Sequence, residues 1–210
     1  PRPRPQRLTA ELSESVRAIF TEAGVSEEAL RGYLIQNNLA IAVTHNVTTR
    51  DDLDLQQPYN LQVAGGGAQT RGAEGQLYTV AYMQFFQADQ IRGLRGGNDI
   101  RPGRRVLAQA LHDPAAIQAN AALTDATAPA GSVKIAADGS VAAFVPAQRA
   151  LSWQLTDTDG AAVVRERYWI TFQPGEIRVC GSCHGLNEFD QAGNAAPENP
   201  PQALLALLNE

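Results

Sequence analysis

The chain has 210 residues, of which 44% are hydrophobic and 19% are charged, a balance that is ordinary for a folded globular protein. The formal net charge of -5 offers no basic field for nucleic acid or anionic lipid, so neither is expected as a partner. No stretch approaches about 18 consecutive apolar residues, and the sequence therefore predicts no membrane-spanning helix.

The chain opens with proline alternating with arginine, which is typical of a stiff extended linker and predicts one over residues 1–7. No basic and then apolar leader follows. We therefore expect either that an export signal has been removed or that the chain is a piece of a longer exported protein, and the linker favours the second explanation.

Residues 8–45 are predicted to form an N-terminal helical segment, because apolar residues recur there at helical spacing. Thr9 or Ser13 can cap the first helix, and Gly24 is placed to end it. Ser26, followed by two glutamates, can start a second helix. The apolar run at 39–43 is either the tail of a helix or a short buried strand.

Residues 46–210 are predicted to form a β-rich domain, sandwich-like or a meander, in one compact unit with the helices. Alternating or β-branched runs predict its strands, which are 77–86, 106–111, 132–135, 141–145, 151–155 and 163–172. Asp138-Gly139 predicts a hairpin turn, and Asp157–Gly160 predicts another turn. A helical turn is expected at 88–94, a surface excursion at 115–130, and a short helix at 202–208. The fold class predicted from these elements is α+β.

Cys180-Gly-Ser-Cys183-His184 is a C-x-x-C-H motif that contains both cysteines of the chain. In an exported protein this spacing predicts the attachment of one covalent haem c. Cys180 and Cys183 would form thioethers with the two vinyl groups of the porphyrin, and His184 would be the proximal ligand of the iron.

Apart from a chance occurrence of the pattern, two other interpretations of the motif remain. A thioredoxin-like redox pair would lie between an early strand and a long helix in a βαβ pattern, which the surrounding sequence does not show. A structural zinc site would require four ligands, and the chain has no further cysteine.

The occupancy of the second axial position of the iron distinguishes electron transfer from small-molecule chemistry. A second strong ligand makes the iron six-coordinate and suits it to electron transfer, whereas an open position can bind small molecules. The candidates for this distal position are His112 and His45, which are the remaining histidines, followed by Met83, the single methionine. Met83 ranks below the histidines because its aromatic neighbours are typical of core packing. Four arginines are candidate partners of the haem propionates: Arg149, Arg165, Arg167 and Arg178.

Several short motifs precede the C-x-x-C-H in a fixed order: 137–140, 144–147, 154–155, 159–160, 163–165 and 174–176. This succession, over Gly131–Gly185, resembles the haem-binding region of proteins similar to the hydrazine synthase alpha subunit. The resemblance implies a β-rich haem domain within a much longer exported chain. It does not carry over the synthase activity, because no tyrosine follows His184 to serve as the unusual iron ligand of that family.

The sequence thus favours a monohaem c-type cytochrome domain for electron transfer, periplasmic or extracellular, that is not itself an enzyme. Its partners would be a redox protein, other cytochromes, or the rest of a larger chain or complex. A haem enzyme or small-ligand binder with an open iron, hydrazine-synthase-like, is the first alternative. A structural or assembly haem module of a larger complex is the second.

Overall fold

The computed structural model describes most of the chain, and the backbone alone at 68–69, 89–95 and 99–107. The described residues are 11–52, 60–64, 66, 68–69, 76–95, 99–181, 188–190 and 193–209. The predicted linker at 1–7, Cys183 and His184 lie outside these ranges. Among the helices that fall within them, none is long and apolar enough to cross a membrane.

Helices and strands alternate irregularly through the described ranges. The helices are α1 (Glu14–Ala23), α2 (Glu27–Gln36), α3 (Pro114–Ala119) and α4 (Gln202–Leu208). The strands are β1 (Leu39–Thr44), β2 (Asn60–Val63), β3 (Ala68–Gln69), β4 (Leu77–Val80), β5 (Tyr82–Arg95), β6 (Asp99–Ala110), β7 (Ser132–Lys134), β8 (Val141–Pro146), β9 (Ala150–Thr156), β10 (Ala162–Arg165), β11 (Ile170–Thr171) and β12 (Ile177–Cys180). The chain is therefore a mixed α+β protein built mostly of strands, which confirms the predicted class.

The first two helices begin and end where their capping residues predict. The Ser13 side chain accepts a hydrogen bond from the Val16 amide, and Gly24 ends α1 in the left-handed conformation with φ of 67°. Ser26 caps α2 in the same way through the Ala29 amide. Local hydrogen bonds are sufficient to set these boundaries, which explains why the sequence predicts them.

The predicted order, N-terminal helices followed by a β-rich domain, was too simple, because α3 lies between the strands β6 and β7. The Asp113 side chain accepts from the amides of Ala115 and Ala116, with Pro114 at the first helical position, and so starts α3. This helix occupies part of the predicted surface excursion at 115–130. The C-terminal helix at 202–208 has the bounds that were predicted.

The first sheet has three strands in the order β12-β1-β8, so β1 is its central strand. The run at 39–43 is thus a buried strand rather than a helix tail. It pairs with β12 in parallel and with β8 antiparallel. Helix α2 packs on β1, α4 packs on β8 and on α1, and the helices share one hydrophobic cluster with the strands.

The second sheet has the order β10-β9-β5-β6, with β7 on β5 and β11 on β9, and a small third sheet has the order β3-β2-β4. The helical turn expected at 88–94 was wrong, because this stretch continues β5. Backbone pairing with β6 and, up to Ala88, with β9 satisfies its polar groups as a strand.

The turn at Asp138-Gly139 exists, but the hairpin predicted from it was wrong. Gly139 has φ of 82°, and its amide donates to the Ala136 carbonyl. The flanking strands then part, since β7 pairs with β5 and β8 pairs with β1. This turn therefore carries the chain from one sheet to the other, whereas the turn at 157–160 joins the antiparallel pair β9 and β10.

Candidate functional site

The C-x-x-C-H motif begins at the last residue of a core strand. Cys180 ends β12 and lies in register with Thr44 of the parallel strand β1. The pairing continues past both strands, because the His45 amide donates to the Cys180 carbonyl at 2.9 Å and the Asn46 amide donates to the Gly181 carbonyl at 3.2 Å. The first two residues of the motif are thus held by the chain that follows β1.

The Cys180 thiol is free and half-buried. Burial raises its pKa above the ordinary value, the positive charge of Arg178 opposes that rise, and Glu166 and Glu176 add to it. The group is therefore a neutral thiol at pH 7. Redox-active C-x-x-C pairs depend on a lowered thiol pKa, so this environment disfavours the thioredoxin-like interpretation.

A cleft of about 530 Å³ lies along β12 and the start of the motif. Its lining includes His45 and Gly181 from the paired segments, Arg178 from β12, and the carboxylate residues Glu11 and Glu198. The cleft therefore combines one buried imidazole with side chains of both charges, next to the strand that ends in Cys180.

His45 is 5% exposed, and its Nδ1 lies 2.7 Å from the carbonyl oxygen of Asn199. A carbonyl oxygen can only accept, so Nδ1 donates the hydrogen bond. Histidines that bind metals in proteins are commonly held in this way, with the second ring nitrogen donating to a backbone carbonyl. The hydrogen bond to Asn199 thus fixes the orientation of the His45 ring at the cleft.

Asn199 belongs to a polar network that is not apparent from the sequence. Its Nδ2 donates to the His45 carbonyl at 3.1 Å and to Asp138 Oδ2 at 2.9 Å. The same Asp138 oxygen accepts from the Gln202 amide at 3.2 Å, and the other accepts from the Ser140 amide and hydroxyl. No local signal could have found this network, because Asn199 is separated from Asp138 by 61 residues.

The other two candidate distal ligands lie away from the cleft. His112 is exposed in the connection after β6, with Nδ1 at 3.0 Å from the Ala110 carbonyl oxygen. Met83 is 4% exposed in β5, in register with Val133 and Leu155 in the hydrophobic cluster. Neither is among the described residues that line the cleft. Of the three candidates, the structure brings His45 alone to the start of the motif.

Arg178 is the one of the four candidate arginines that lines the cleft. Its guanidinium binds Glu176 Oε1, with Nε at 2.7 Å and Nη2 at 2.6 Å, and lies 4.5 Å from the centre of the Phe172 ring. Arg165 instead binds Gln154 Oε1 on β9. Arg149 and Arg167 are exposed, as expected for solvated arginines.

The chain after the motif forms hydrogen bonds with residues 45–52, the same segment that contacts the start of the motif. The Asp52 amide donates to the Phe189 carbonyl at 3.1 Å, and Asp51 forms an antiparallel bridge with Asp190. Residues 45–52 therefore contact the chain on both sides of 182–187, the stretch that contains Cys183 and His184. Within the described ranges, no three His, Cys, Asp or Glu side chains gather as a metal cluster.

Fold and site together define a mixed α+β domain in which a core strand of a three-stranded sheet leads directly into a C-x-x-C-H motif. The chain belongs to the family of the hydrazine synthase alpha subunit middle domain, whose model matches residues 79–185. This match contains the whole stretch, Gly131–Gly185, that carried the sequence resemblance, and it confirms the family.

Among solved structures, the chain is similar to the Kuenenia stuttgartiensis hydrazine synthase, with 15% identity and a TM-score of 0.41. The similarity covers 80% of this chain and 20% of that chain, so the chain spans about a fifth of its relative's length. No curated protein matches.

Proposed function

We propose that the chain is a c-type haem domain of a hydrazine-synthase-like protein and that it transfers electrons. Cys180 and Cys183 would hold the haem by thioethers, and His184 would be the proximal ligand. The observation that carries this proposal is the position of Cys180, at the end of a core strand and beside a cleft lined by a buried histidine.

Of the proposed donors, Cys180 lies within the described residues, and its chemistry supports such a group. The Cys180 sulfur is neither in a disulfide nor ionised, and thioether attachment consumes a thiol. Pairing of β12 with β1 gives this sulfur a rigid support, and 45–52 holds the chain on either side of the motif. When bound, a haem would supply one-electron transfer at a potential set by its ligands and burial.

Electron transfer requires a domain that keeps the iron's surroundings unchanged between oxidation states. The described residues support this role through a rigid sheet and a buried imidazole at the cleft. We place the domain on the periplasmic or extracellular side, inside a longer chain or complex that includes a redox partner, such as another cytochrome.

The family match favours a second candidate, a haem site with an open iron that activates a small nitrogen compound. The described part of the cleft contributes carboxylates and one imidazole to such chemistry. A structural module, in which the haem stabilises the fold and the chain packs against partners, is the third interpretation, and it predicts that loss of the haem lowers stability or assembly.

Expression of the full chain in a host that matures c-type cytochromes tests the proposal. The purified protein should gain the mass of one haem under denaturing conditions and should show a pyridine haemochrome spectrum of the thioether type. Cys180→Ala and Cys183→Ala should each lower the yield of attached haem, whereas Arg167→Ala, at an exposed position, should not. A wild-type chain of unmodified mass would contradict the proposal.

A further inference from the structure

We infer that the free edge of β12 binds an extended, basic segment of a partner polypeptide, which adds a strand to the three-stranded sheet. No haem is needed for this interaction, since described residues alone form the edge and the cleft beside it. The interaction goes beyond the proposed electron transfer, which names no docking surface.

The backbone of β12 is open on one side. Within the described part of the chain, β1 is its single strand partner. The Ile41 amide donates to the Glu176 carbonyl at 2.8 Å, which fixes the side of β12 that faces β1. Because the backbone groups of successive residues point to alternate edges, Ile177 and Val179 direct their N–H and C=O groups away from β1. These groups have no backbone partner among the described residues, so they are available to another strand.

The cleft of about 530 Å³ follows this edge and not one face of the sheet. Its lining includes the consecutive residues Ile177, Arg178 and Val179. Side chains of consecutive residues in a strand point to opposite faces, so a cavity that contacts all three lies beside the strand. The volume is within the range of about 300–1,000 Å³ that is usual for ligand sites. The cleft therefore offers room for a short extended segment next to the unpaired backbone groups.

The charges at the cleft favour a basic segment. Arg178 is paired with Glu176, with Nη2 at 2.6 Å from Oε1. Glu11 and Glu198 also line the cleft, and neither forms an ion pair with a described residue. These two carboxylates attract lysine or arginine and repel an acidic segment, which is the usual source of specificity for charged partners.

His45 supplies a separate reason to expect an occupant. Its side chain lines the cleft and is 5% exposed, and Nδ1 is bound to the Asn199 carbonyl. The other ring nitrogen, Nε2, has no hydrogen-bond partner among the described residues. Buried polar atoms in folded proteins are usually paired, and a polar group of the bound segment would supply this partner.

The test uses the full chain as expressed and two acetylated, amidated hexapeptides. The basic probe is Thr-Lys-Val-Lys-Val-Thr, and the acidic control is Thr-Glu-Val-Glu-Val-Thr, which has the same length and alternation. Titration calorimetry should show saturable binding of the basic peptide, weaker at high salt, and no binding of the acidic one. No saturable binding up to about 1 mM basic peptide, or equal binding of both peptides, would overturn the inference.

Val179→Pro tests the edge itself. Proline removes the N–H that points away from β1 and leaves the ladder with β1 intact, so an edge strand tolerates it. We expect the basic peptide to bind this variant at least about 10-fold more weakly, because one backbone hydrogen bond and the strand contact are lost. Val179→Ala keeps the N–H and is the matched control, which should bind within about 3-fold of the wild type. Equal binding to the proline and alanine variants would contradict strand addition.

The charges give a second test that leaves the strand unaltered. The double variant Glu11→Gln/Glu198→Gln should bind the basic peptide about 3- to 10-fold more weakly at low salt. Glu22→Gln/Glu28→Gln removes the same charge at exposed helix positions outside the cleft lining, and it should bind as the wild type does. Equal losses in the two double variants would reduce the effect to net charge and contradict a site at the cleft.

The oligomeric state excludes another occupant of the edge. A wild-type dimer in sedimentation that Val179→Pro converts to a monomer would assign the edge to a second copy of the chain, and it would overturn the basic partner. We expect instead that the wild type and Val179→Pro sediment alike.

Discussion

The amide of His45 donates a hydrogen bond of 2.9 Å to the carbonyl of Cys180, which places the buried histidine next to the first cysteine of the C-x-x-C-H motif. The contact extends the parallel pairing of β1 and β12 by one step. Because the two residues are 135 positions apart in a chain of 210, only the sheet brings them together. The same segment, at Asp52, binds the chain again at Phe189, beyond the motif.

Asp138→Ala should loosen the C-terminal part of the chain. Its carboxylate accepts four hydrogen bonds, two of them from Asn199 and Gln202. We expect a loss of about 2–4 kcal/mol in the free energy of unfolding, because partly buried donors lose a charged acceptor. Chemical denaturation measures the loss, and limited proteolysis should cut within 193–201 sooner than in the wild type.

Asp157→Ala is the matched control for that variant. Asp157 also stands in an Asp-containing turn, but its carboxylate accepts from Asp159 and Ala161 within the exposed turn. Its loss should cost about 1 kcal/mol or less. Equal costs for the two variants would contradict the view that Asp138 joins distant parts of the chain.

Asn120→Ala should be strongly destabilising. The buried Asn120 side chain donates to the Phe144 carbonyl and accepts from the Phe144 amide, each at 2.8 Å, and so acts as a short extra strand beside β8. Removal leaves two buried backbone groups without a partner, at a cost of about 2–4 kcal/mol. Asn37→Ala, at the exposed end of α2, should cost about 0.5 kcal/mol in the same denaturation experiment.

Gly139→Ala and Gly193→Ala separate backbone strain from steric conflict. Both glycines have positive φ, 82° and 83°, so each substitution should cost about 1 kcal/mol in strain. A Cβ at Gly139 would also collide with the Asn46 side chain, whereas a Cβ at Gly193 meets no atom of the described residues within 4 Å. We expect an additional cost of about 1–3 kcal/mol at Gly139. Equal urea unfolding midpoints for the two variants would show that the Asn46 side chain moves away from the new Cβ without a measurable cost.

The thiol of Cys180 should alkylate slowly in haem-free protein that carries Cys183→Ser. Burial raises the pKa of this thiol above its ordinary value of 9.0. The reactive thiolate is therefore scarce at pH values below 9.0, and its fraction increases only as the pH rises beyond that value. The rate with iodoacetamide should therefore continue to rise at pH values where an unfolded cysteine has reached its plateau. Arg178→Gln should slow the reaction further, because the positive charge of Arg178 lowers the pKa. A rate profile that coincides with the unfolded chain would be inconsistent with a buried thiol.

Much of the local structure follows from the sequence alone. Ser13, Gly24 and Ser26 set the ends of α1 and α2 through contacts within four residues, and α4 follows from its apolar run. The C-x-x-C-H spacing likewise needs no fold to indicate a haem site. These features are predictable because the interactions that cause them are short in sequence.

Other features of the fold depend on residues that are distant in the sequence, and only the tertiary structure decided them. The stretch 88–94 became part of a strand because β6 and β9 offered backbone hydrogen bonds, and Asp138-Gly139 became a link between sheets because β7 and β8 found different neighbours. The sequence by itself determined the motif and three candidate ligands. Only the parallel register of β1 with β12 set His45 apart from His112 and Met83, because spatial proximity between residues so far apart in the chain is created by strand pairing.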